Sequence, residues 1–340
     1  MSVSTEVGAE THSTTAEAPH CSWCGSDRLS PPWRGPEPRD FQVRGCDDCG
    51  HHFTAPILGG DQIGAYYAEE YYGTKNKRFN PLMEALVRWF RQRRAKRLGQ
   101  FGPIGKVLDV GCGRGLTLNA LRELGWTTRG CEFSATSARY AREVLKLDVA
   151  CEGFSPASYA DDEFDAVSLW HVLEHLPNAR EALETCARIV KPGGVLAIAV
   201  PNFESYQAQW TRYGWFHLDM PRHYQHYSAS WLRERFDELG FDVRSEGHAS
   251  GEQNPYGWIQ SILNCWGLAR NLLYDMLRTE SARTVKHPWR QLPGQALVSA
   301  VGLVVLLPFS LTMLVAEAFG KRGATVEFYA VKRPAAEPSK

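Results

Sequence analysis

The stretch Lys106-Val-Leu-Asp-Val-Gly-Cys-Gly-Arg-Gly-Leu-Thr-Leu118 constrains the fold most, because it places a buried strand, a glycine turn and a helix start in direct succession. Val107, Leu108 and Val110 suit a strand buried on both faces, and helical spacing then runs from Leu116 to a stop at Gly125. Between them stand Gly111, Gly113 and Gly115. Positions without side chains let a ligand approach the backbone at the strand's carboxyl end, where a helix N-terminus offers free N–H groups. A nucleotide site is the natural reading. The dinucleotide fingerprint needs its third glycine one place later, where Leu116 stands, and Asp109 precedes the first glycine, so the pattern points away from NAD. Glu132 ends the next apolar-leaning segment, 127–131, roughly 20 residues downstream, where a ribose-binding carboxylate is expected. The plain alternative is a tight turn followed by a solvated strand end.

At 340 residues the chain has room for one large domain with appendages, or for two. Acidic and basic residues balance at 38 each, which removes the basic footprint that a nucleic-acid partner usually demands. Residues 1–20 lack an apolar run and a basic start and read as a disordered tail. Nine cysteines, partly in paired motifs, suit reduced thiols of the cytoplasm better than a disulfide framework. Four of them form Cys21-x-x-Cys24 and Cys46-x-x-Cys49, separated by 21 residues, with Gly25 and Gly50 after each pair. Such spacing predicts a structural zinc ribbon over 21–55, since four sulfur ligands leave no open position for catalysis. His51 and His52 are surplus to that count and are expected on the surface or in packing.

Residues 56–105 read as a helical linker. It carries Tyr66, Tyr67, Tyr71 and Tyr72 and then a helix over 81–98, with Leu82, Leu86, Trp89 and Phe90 on one face and six basic residues around the rest. That basic surface is either simply solvated or attracted to anionic lipid, phosphate or nucleic acid.

Strands and helices alternate with short loops from 106 onward, which predicts a doubly wound α/β sheet. The segment from Asp109 to Gly115 resembles motif I of the class I S-adenosylmethionine-dependent methyltransferases. The resemblance covers roughly 106–247 and 325–331. It implies a seven-stranded Rossmann-like sheet of order 3-2-1-4-5-7-6, with the seventh strand antiparallel. It also implies that Asp109, Gly111, Gly113, Gly115 and Glu132 hold the cofactor, with Gly153 and Phe154 beside the adenine.

Trp170-His-Val-Leu-Glu-His-Leu-Pro177 resembles the strand-end motif of the ubiquinone-type branch, which puts His171, Glu174 and His175 near the methyl donor. They serve there as a general base, as ligands of a divalent metal, or as braces of the loop. The run from Trp215 to Ser228 packs His217, Asp219, Arg222, His223 and His226 into an acceptor lid and resembles bacterial methyltransferases of saccharide and lipid biosynthesis. In that likeness Arg222 and His226 contact substrate and His223 is a second candidate base.

The methyltransferase unit is expected over 106–251 and 323–334, interrupted by an apolar helical insertion at 252–322. No charge occurs from 291 to 316, long enough for a membrane span of ~20 residues. A single crossing would strand the last β-strand on the wrong side. Pro308 therefore suggests a bent or re-entrant hairpin, anchored by Arg283, Lys286, Arg290, Lys321 and Arg322, with 258–277 lying amphipathically in the interface. A helical cap or dimer surface is the alternative. The sequence thus predicts O-methylation of a saccharide, quinone or lipid-linked small molecule, in the cytoplasm or at the inner membrane face. A cofactor-binding scaffold and a nucleic-acid or protein methyltransferase are the competing readings, and the oligomeric state is not legible.

Overall fold

The computed structural model describes residues 20–34, 40–59, 62, 79, 81–279 and 287–334. The tail over 1–19, the four tyrosines at 66–72, Arg283 and Lys286 lie outside them. In chain order the strands are β1 (Trp33–Arg34), β2 (Gln42–Gly45), β3 (His52–Ala55), β4 (Lys106–Val110), β5 (Thr127–Cys131) and β6 (Val149–Ala150). They continue as β7 (Phe164–Trp170), β8 (Val190–Pro201), β9 (Gln225–His226), β10 (Phe241–Gly247) and β11 (Thr325–Lys332). The helices are α1 (Pro81–Leu98), α2 (Leu116–Glu123), α3 (Ala135–Glu143), α4 (Ala179–Ile189) and α5 (Tyr206–Thr211). After them come α6 (Ala229–Glu238), α7 (Asn254–Cys265), α8 (Leu272–Leu277), α9 (Pro288–Gln291) and α10 (Pro293–Gly320).

Seven strands form the main sheet in the order β10-β11-β8-β7-β4-β5-β6. Counted from β4, that is 3-2-1-4-5-7-6, and β11 is antiparallel to both of its neighbours. The predicted α/β fold class is therefore the observed one. Period-two alternation divides the buried side chains between two helical layers. Leu108, Val167, Ile198 and Phe328 pack with Leu183 of α4 and Phe236 of α6, whereas Val107, Ala166, Ala197 and Tyr329 meet Leu98 of α1 and Leu121 of α2. Each large aliphatic side chain fully buried here contributes about 1.5–3 kcal/mol, enough to fix the register of the parallel strands.

A second sheet, β1-β2-β3-β9, was not foreseen. Its first three strands belong to the cysteine-paired ribbon, but β9 comes from the lid and pairs His226 with His52 and Gln225 with Phe53.

Three expectations need correction. The apolar face assigned to α1 is not its packing face: Leu82 and Trp89 are exposed, and Glu84, Arg94, Ala95 and Leu98 are buried instead. Two of its arginines point inward because acids await them there. Pro308 does not break the insertion into a hairpin; α10 runs unbroken for 28 residues, about 42 Å. Hydroxyls serve the carbonyls around it, with Ser310 donating to the Leu307 oxygen at 2.8 Å and Thr312 to that of Pro308 at 3.0 Å. Nor is 258–277 an interfacial segment, since Trp258, Ile259, Leu263, Leu272 and Leu273 are buried. They pack among the insertion helices and against α10. A stripe of small residues on α10, Ala296, Ser299 and Gly302, lets it lie close, and a Cβ at Gly302 would stand 2.8 Å from Leu263.

Candidate functional site

At the carboxyl end of β4 the three glycines have positive φ, and they answer to different neighbours. A Cβ on Gly111 would meet Val172 at 2.6 Å and one on Gly115 would meet Leu147 at 2.6 Å, whereas nothing lies within 4 Å of that position at Gly113. Two glycines thus permit close packing and the third leaves a backbone cradle open. Glu132 closes one side of it, its two oxygens accepting from the amides of Gly113 at 2.8 Å and Ser134 at 2.7 Å. Asp109 is buried beside the turn, and the Ser168 hydroxyl donates to it at 2.6 Å. Burial pushes the Asp109 carboxyl up to about 7 against the pull of Ser168, Arg91 and Arg94, and burial also raises Glu132. Both acids are thus poised to gain from cationic or hydroxylic partners. The donor set and the open cradle fit the sulfonium, amino and ribose groups of S-adenosylmethionine.

The residues that the sequence reading missed here come from α1. Arg114, inside the glycine turn, donates to Glu84 at 2.8 Å. Arg91 and Arg94 each reach Glu252 at 2.9 Å, and the Arg94 guanidinium also lies over the Trp170 ring, 5.1 Å from its centre. The signal was present. Arg91, Arg94, Ala95 and Leu98 have the spacing of one helical face, so the basic residues on that face are the inward ones. Gly153 and Phe154 follow β6 at the same sheet edge. Gly153 is exposed, while the Phe154 ring packs beside Tyr159, centroids 5.7 Å apart.

A second cluster of titratable side chains is built where β7 ends. His171 turns the chain with φ 57°, and its Nδ1 stands 3.4 Å from Glu174. Burial, aided by Arg94, lowers His171 to about 3, so its ring is neutral at physiological pH. Glu174 is 1% exposed, and neither of its oxygens accepts a hydrogen bond among the described residues. Burial pushes its carboxyl up to about 7.

The lid brings His223 to this turn, its ring 4.6 Å from that of His175. Nδ1 of His223 lies 2.8 Å from the His217 oxygen and Nδ1 of His175 lies 2.9 Å from that of Arg222. A carbonyl can only accept, so both Nδ1 atoms carry a proton and Nε2 is the nitrogen of each ring left to take another. Burial and the neighbouring His175 hold His223 well below its ordinary value, which keeps that lone pair available. Ligand atoms of Glu174, His175 and His223 lie within 4.8 Å of one another. Such a group can pass a proton or hold a cation. Arg222 is paired with Asp219, whose carboxyl falls below the usual range because that guanidinium and His223 outweigh the cost of burial.

His226, expected to contact substrate, is turned the other way. It is 4% exposed and its Nε2 lies 2.9 Å from the Thr54 hydroxyl on the ribbon. Pairing with β3 orients it, which sequence spacing inside the lid does not reveal.

In the ribbon, Sγ of Cys21 stands 3.6 Å from that of Cys49 and Cys24 stands 3.6 Å from Cys46, with all four within 4.8 Å. A tetrahedron with ~2.3 Å metal–sulfur bonds has edges of about 3.8 Å, so the thiols fit one ion. Burial pushes Cys21 up to about 11 and Cys49 higher still, so a dication is the natural partner for both as thiolates.

Comparison with known proteins gives one family and a set of partial relatives. The family described as "Methyltransferase domain" matches residues 77–246. A ubiquinone biosynthesis O-methyltransferase of Thiobacillus denitrificans is 38% identical over 136 residues, covering 37% of this chain and 56% of the relative. The protein of that name from Alkalilimnicola ehrlichii is 34% identical over 103 residues, covering 28% and 42%. The chain spans about half the length of the curated relatives it matches. A crystal structure of a SAM-dependent methyltransferase from Archaeoglobus fulgidus aligns at 20% identity with a TM-score of 0.45, over 79% of this chain and 99% of that one.

Proposed function

Because the chain belongs to the methyltransferase-domain family, which matches half of it, we propose that it transfers the methyl group of S-adenosylmethionine to an oxygen of a small acceptor. The observation that carries this is the open cradle at Gly113 between Asp109 and Glu132, on the sheet edge where β7 delivers His171, Glu174 and His175. The cofactor supplies an already activated sulfonium methyl. The chain's own work is to align acceptor and donor, to exclude water and to remove the acceptor proton. Asp109 and Glu132 hold the donor. Nε2 of His223, backed by His175, takes the proton, while Arg222 and Asp219 set the lid around the acceptor. Relatives named as ubiquinone biosynthesis O-methyltransferases support oxygen as the methylated atom and a quinone-like acceptor; a saccharide or lipid-linked acceptor rests on the resemblance carried by the lid run from Trp215 to Ser228.

In this reading 21–55 is a zinc ribbon, 56–105 a linker, 106–251 and 323–334 the catalytic unit, and 252–322 a docking insertion for the inner membrane face. One side of α10 supports the last role: Leu297, Val301, Val304, Val305 and Phe319 are exposed, with Arg290 before the helix and Lys321 and Arg322 after it. The insertion leaves the main sheet after β10 and rejoins it at β11, so in this reading the helix lies along a membrane surface and does not cross.

The test is transfer of labelled methyl from S-adenosylmethionine into cell extract split into organic, aqueous and polymeric fractions. Label in the organic phase supports a lipid-like acceptor; label in aqueous or polymeric material removes the membrane role and returns saccharide, protein and nucleic acid to consideration. Cofactor binding with transfer to no fraction would make the chain a scaffold. A second reading, a divalent cation at Glu174, His175 and His223, is favoured by the bare carboxylate. It requires that added Mg2+ or Mn2+ raise turnover of protein whose ribbon stays loaded; an unchanged rate leaves the histidine base alone.

A further inference from the structure

The cysteine ribbon stands beside the histidines of the acceptor side through two short hydrogen-bonded paths. The first starts at the knuckles. Ser22, next to Cys21, donates to Oε1 of Gln225 at 2.8 Å, and Nε2 of His51, two residues after Cys49, meets the same oxygen at 2.7 Å. The other end of that amide donates to the carbonyls of Leu176 at 3.2 Å and Pro177 at 3.1 Å, the two residues directly after His175. One glutamine thus ties both knuckles to the turn that carries Glu174 and His175.

The second path runs through Thr54, which is fully buried. Its amide donates to the Tyr224 oxygen at 2.8 Å and its hydroxyl to the His223 oxygen at 2.7 Å. A hydroxyl has one proton, so the 2.9 Å contact with Nε2 of His226 must be accepted from that ring. His223 is therefore fixed from behind by the ribbon, while the Tyr224 amide donates to the backbone carbonyl of Glu174 at 2.8 Å and joins the two paths.

We propose that the ribbon is the positioning element of the acceptor side, with Thr54 and Gln225 as its positioning residues, so that metal loading at the four cysteines sets turnover without altering cofactor affinity. This rests on the reading of His175 and His223 as the proton-accepting pair. It does not extend to Asp109 or Glu132, whose hydrogen bonds are made within the main sheet and its turns.

The experiment compares full-length protein with Thr54→Val and Thr54→Ser, each zinc-loaded, and the wild type after zinc extraction and after zinc is restored. Three quantities are read: amide exchange over 222–227, cofactor affinity by calorimetry, and label transfer from S-adenosylmethionine into the extract fraction that accepts it. Thr54→Val should speed exchange over 222–227 and lower turnover about tenfold, the scale of one lost buried hydrogen bond expressed in a barrier, while cofactor affinity stays within a factor of about two. Thr54→Ser keeps the hydroxyl and should restore both. Zinc extraction should act like Thr54→Val but more strongly, and reloading should reverse it. Unchanged exchange in Thr54→Val and in zinc-free protein overturns the coupling, whatever the activity. If exchange responds as expected but the wild type itself transfers no label, the coupling stands and the base assignment fails. A parallel loss of cofactor affinity in Thr54→Val overturns the proposal, because the effect would then be general unfolding.

Discussion

The proposed cofactor side and the proposed acceptor side of this molecule share one sheet edge but are held by different kinds of contact. Asp109, the glycines and Glu132 come from one strand–turn–helix–strand unit, and their main hydrogen bonds are made inside it or to the adjacent β7. His175 and His223 are 48 positions apart in sequence. They meet only because the lid is pinned from behind by the ribbon and from the far side by the insertion, where the Phe216 amide donates to the Ser261 hydroxyl at 2.9 Å. A site built inside one unit survives changes elsewhere. A site assembled between units inherits the stability of each, which makes the acceptor side the part that can be tuned from a distance.

The sharpest test of that contrast removes the centre of the local unit. Asp109→Ala should abolish measurable cofactor binding, a loss of at least about 100-fold expected when a buried charged partner is deleted, and calorimetry reads it directly. Wild-type affinity in this variant would falsify the assignment of the cradle. His223→Ala should lower turnover by about 10²–10³ with cofactor affinity kept. Normal turnover there would move the base to His175. Paired Val304→Glu and Val305→Glu should reduce flotation with anionic vesicles about tenfold, leaving cofactor affinity and the melting temperature unmoved. Flotation equal to wild type would make α10 a packing surface.

The smallest effect is on pH dependence in the cofactor-free protein. Burial pushes Asp109, Glu174 and Glu317 each up to about 7. Their folded values exceed their unfolded ones, so the stability they contribute is fully present below about pH 4 and is lost as pH rises through about 7. Melting temperature should therefore fall between about pH 4 and pH 7, and Glu174→Gln should remove roughly a third of that slope. A slope unaltered by the substitution means that Glu174 is already ionised against a partner. Saturating S-adenosylmethionine should flatten the Asp109 share and leave that of Glu174, which separates the two halves of the site in one set of melts.

Much of the proposed cofactor side is legible in the sequence alone. Glycines at 111, 113 and 115 after an apolar strand, with Asp109 ahead of them and Glu132 beyond, require only local geometry to be read. The inward arginines of α1 were legible in spacing but masked by their chemistry, because a basic residue is expected outside until Glu252 and Glu327 are known to face it. His226 misled for the opposite reason: its neighbours in sequence are lid residues, and its partner, Thr54, is 172 positions away.

By itself the sequence determined an α/β sheet, the glycine cradle, the four-thiol pattern and the existence of an apolar insertion, while the strand order was an expectation drawn from the family resemblance. Those features rest on period, on turn stereochemistry and on ligand spacing, each fixed within a few residues. Tertiary structure alone decided that a strand of the lid completes the ribbon, that His223 and not His226 faces Glu174, and that α10 continues unbroken past Pro308 on a stripe of small residues. The first two depend on which buried polar group finds its partner across the fold, and the third on close apolar packing against Leu263. An unpaired hydroxyl, imidazole or carboxylate costs more than any local preference can return.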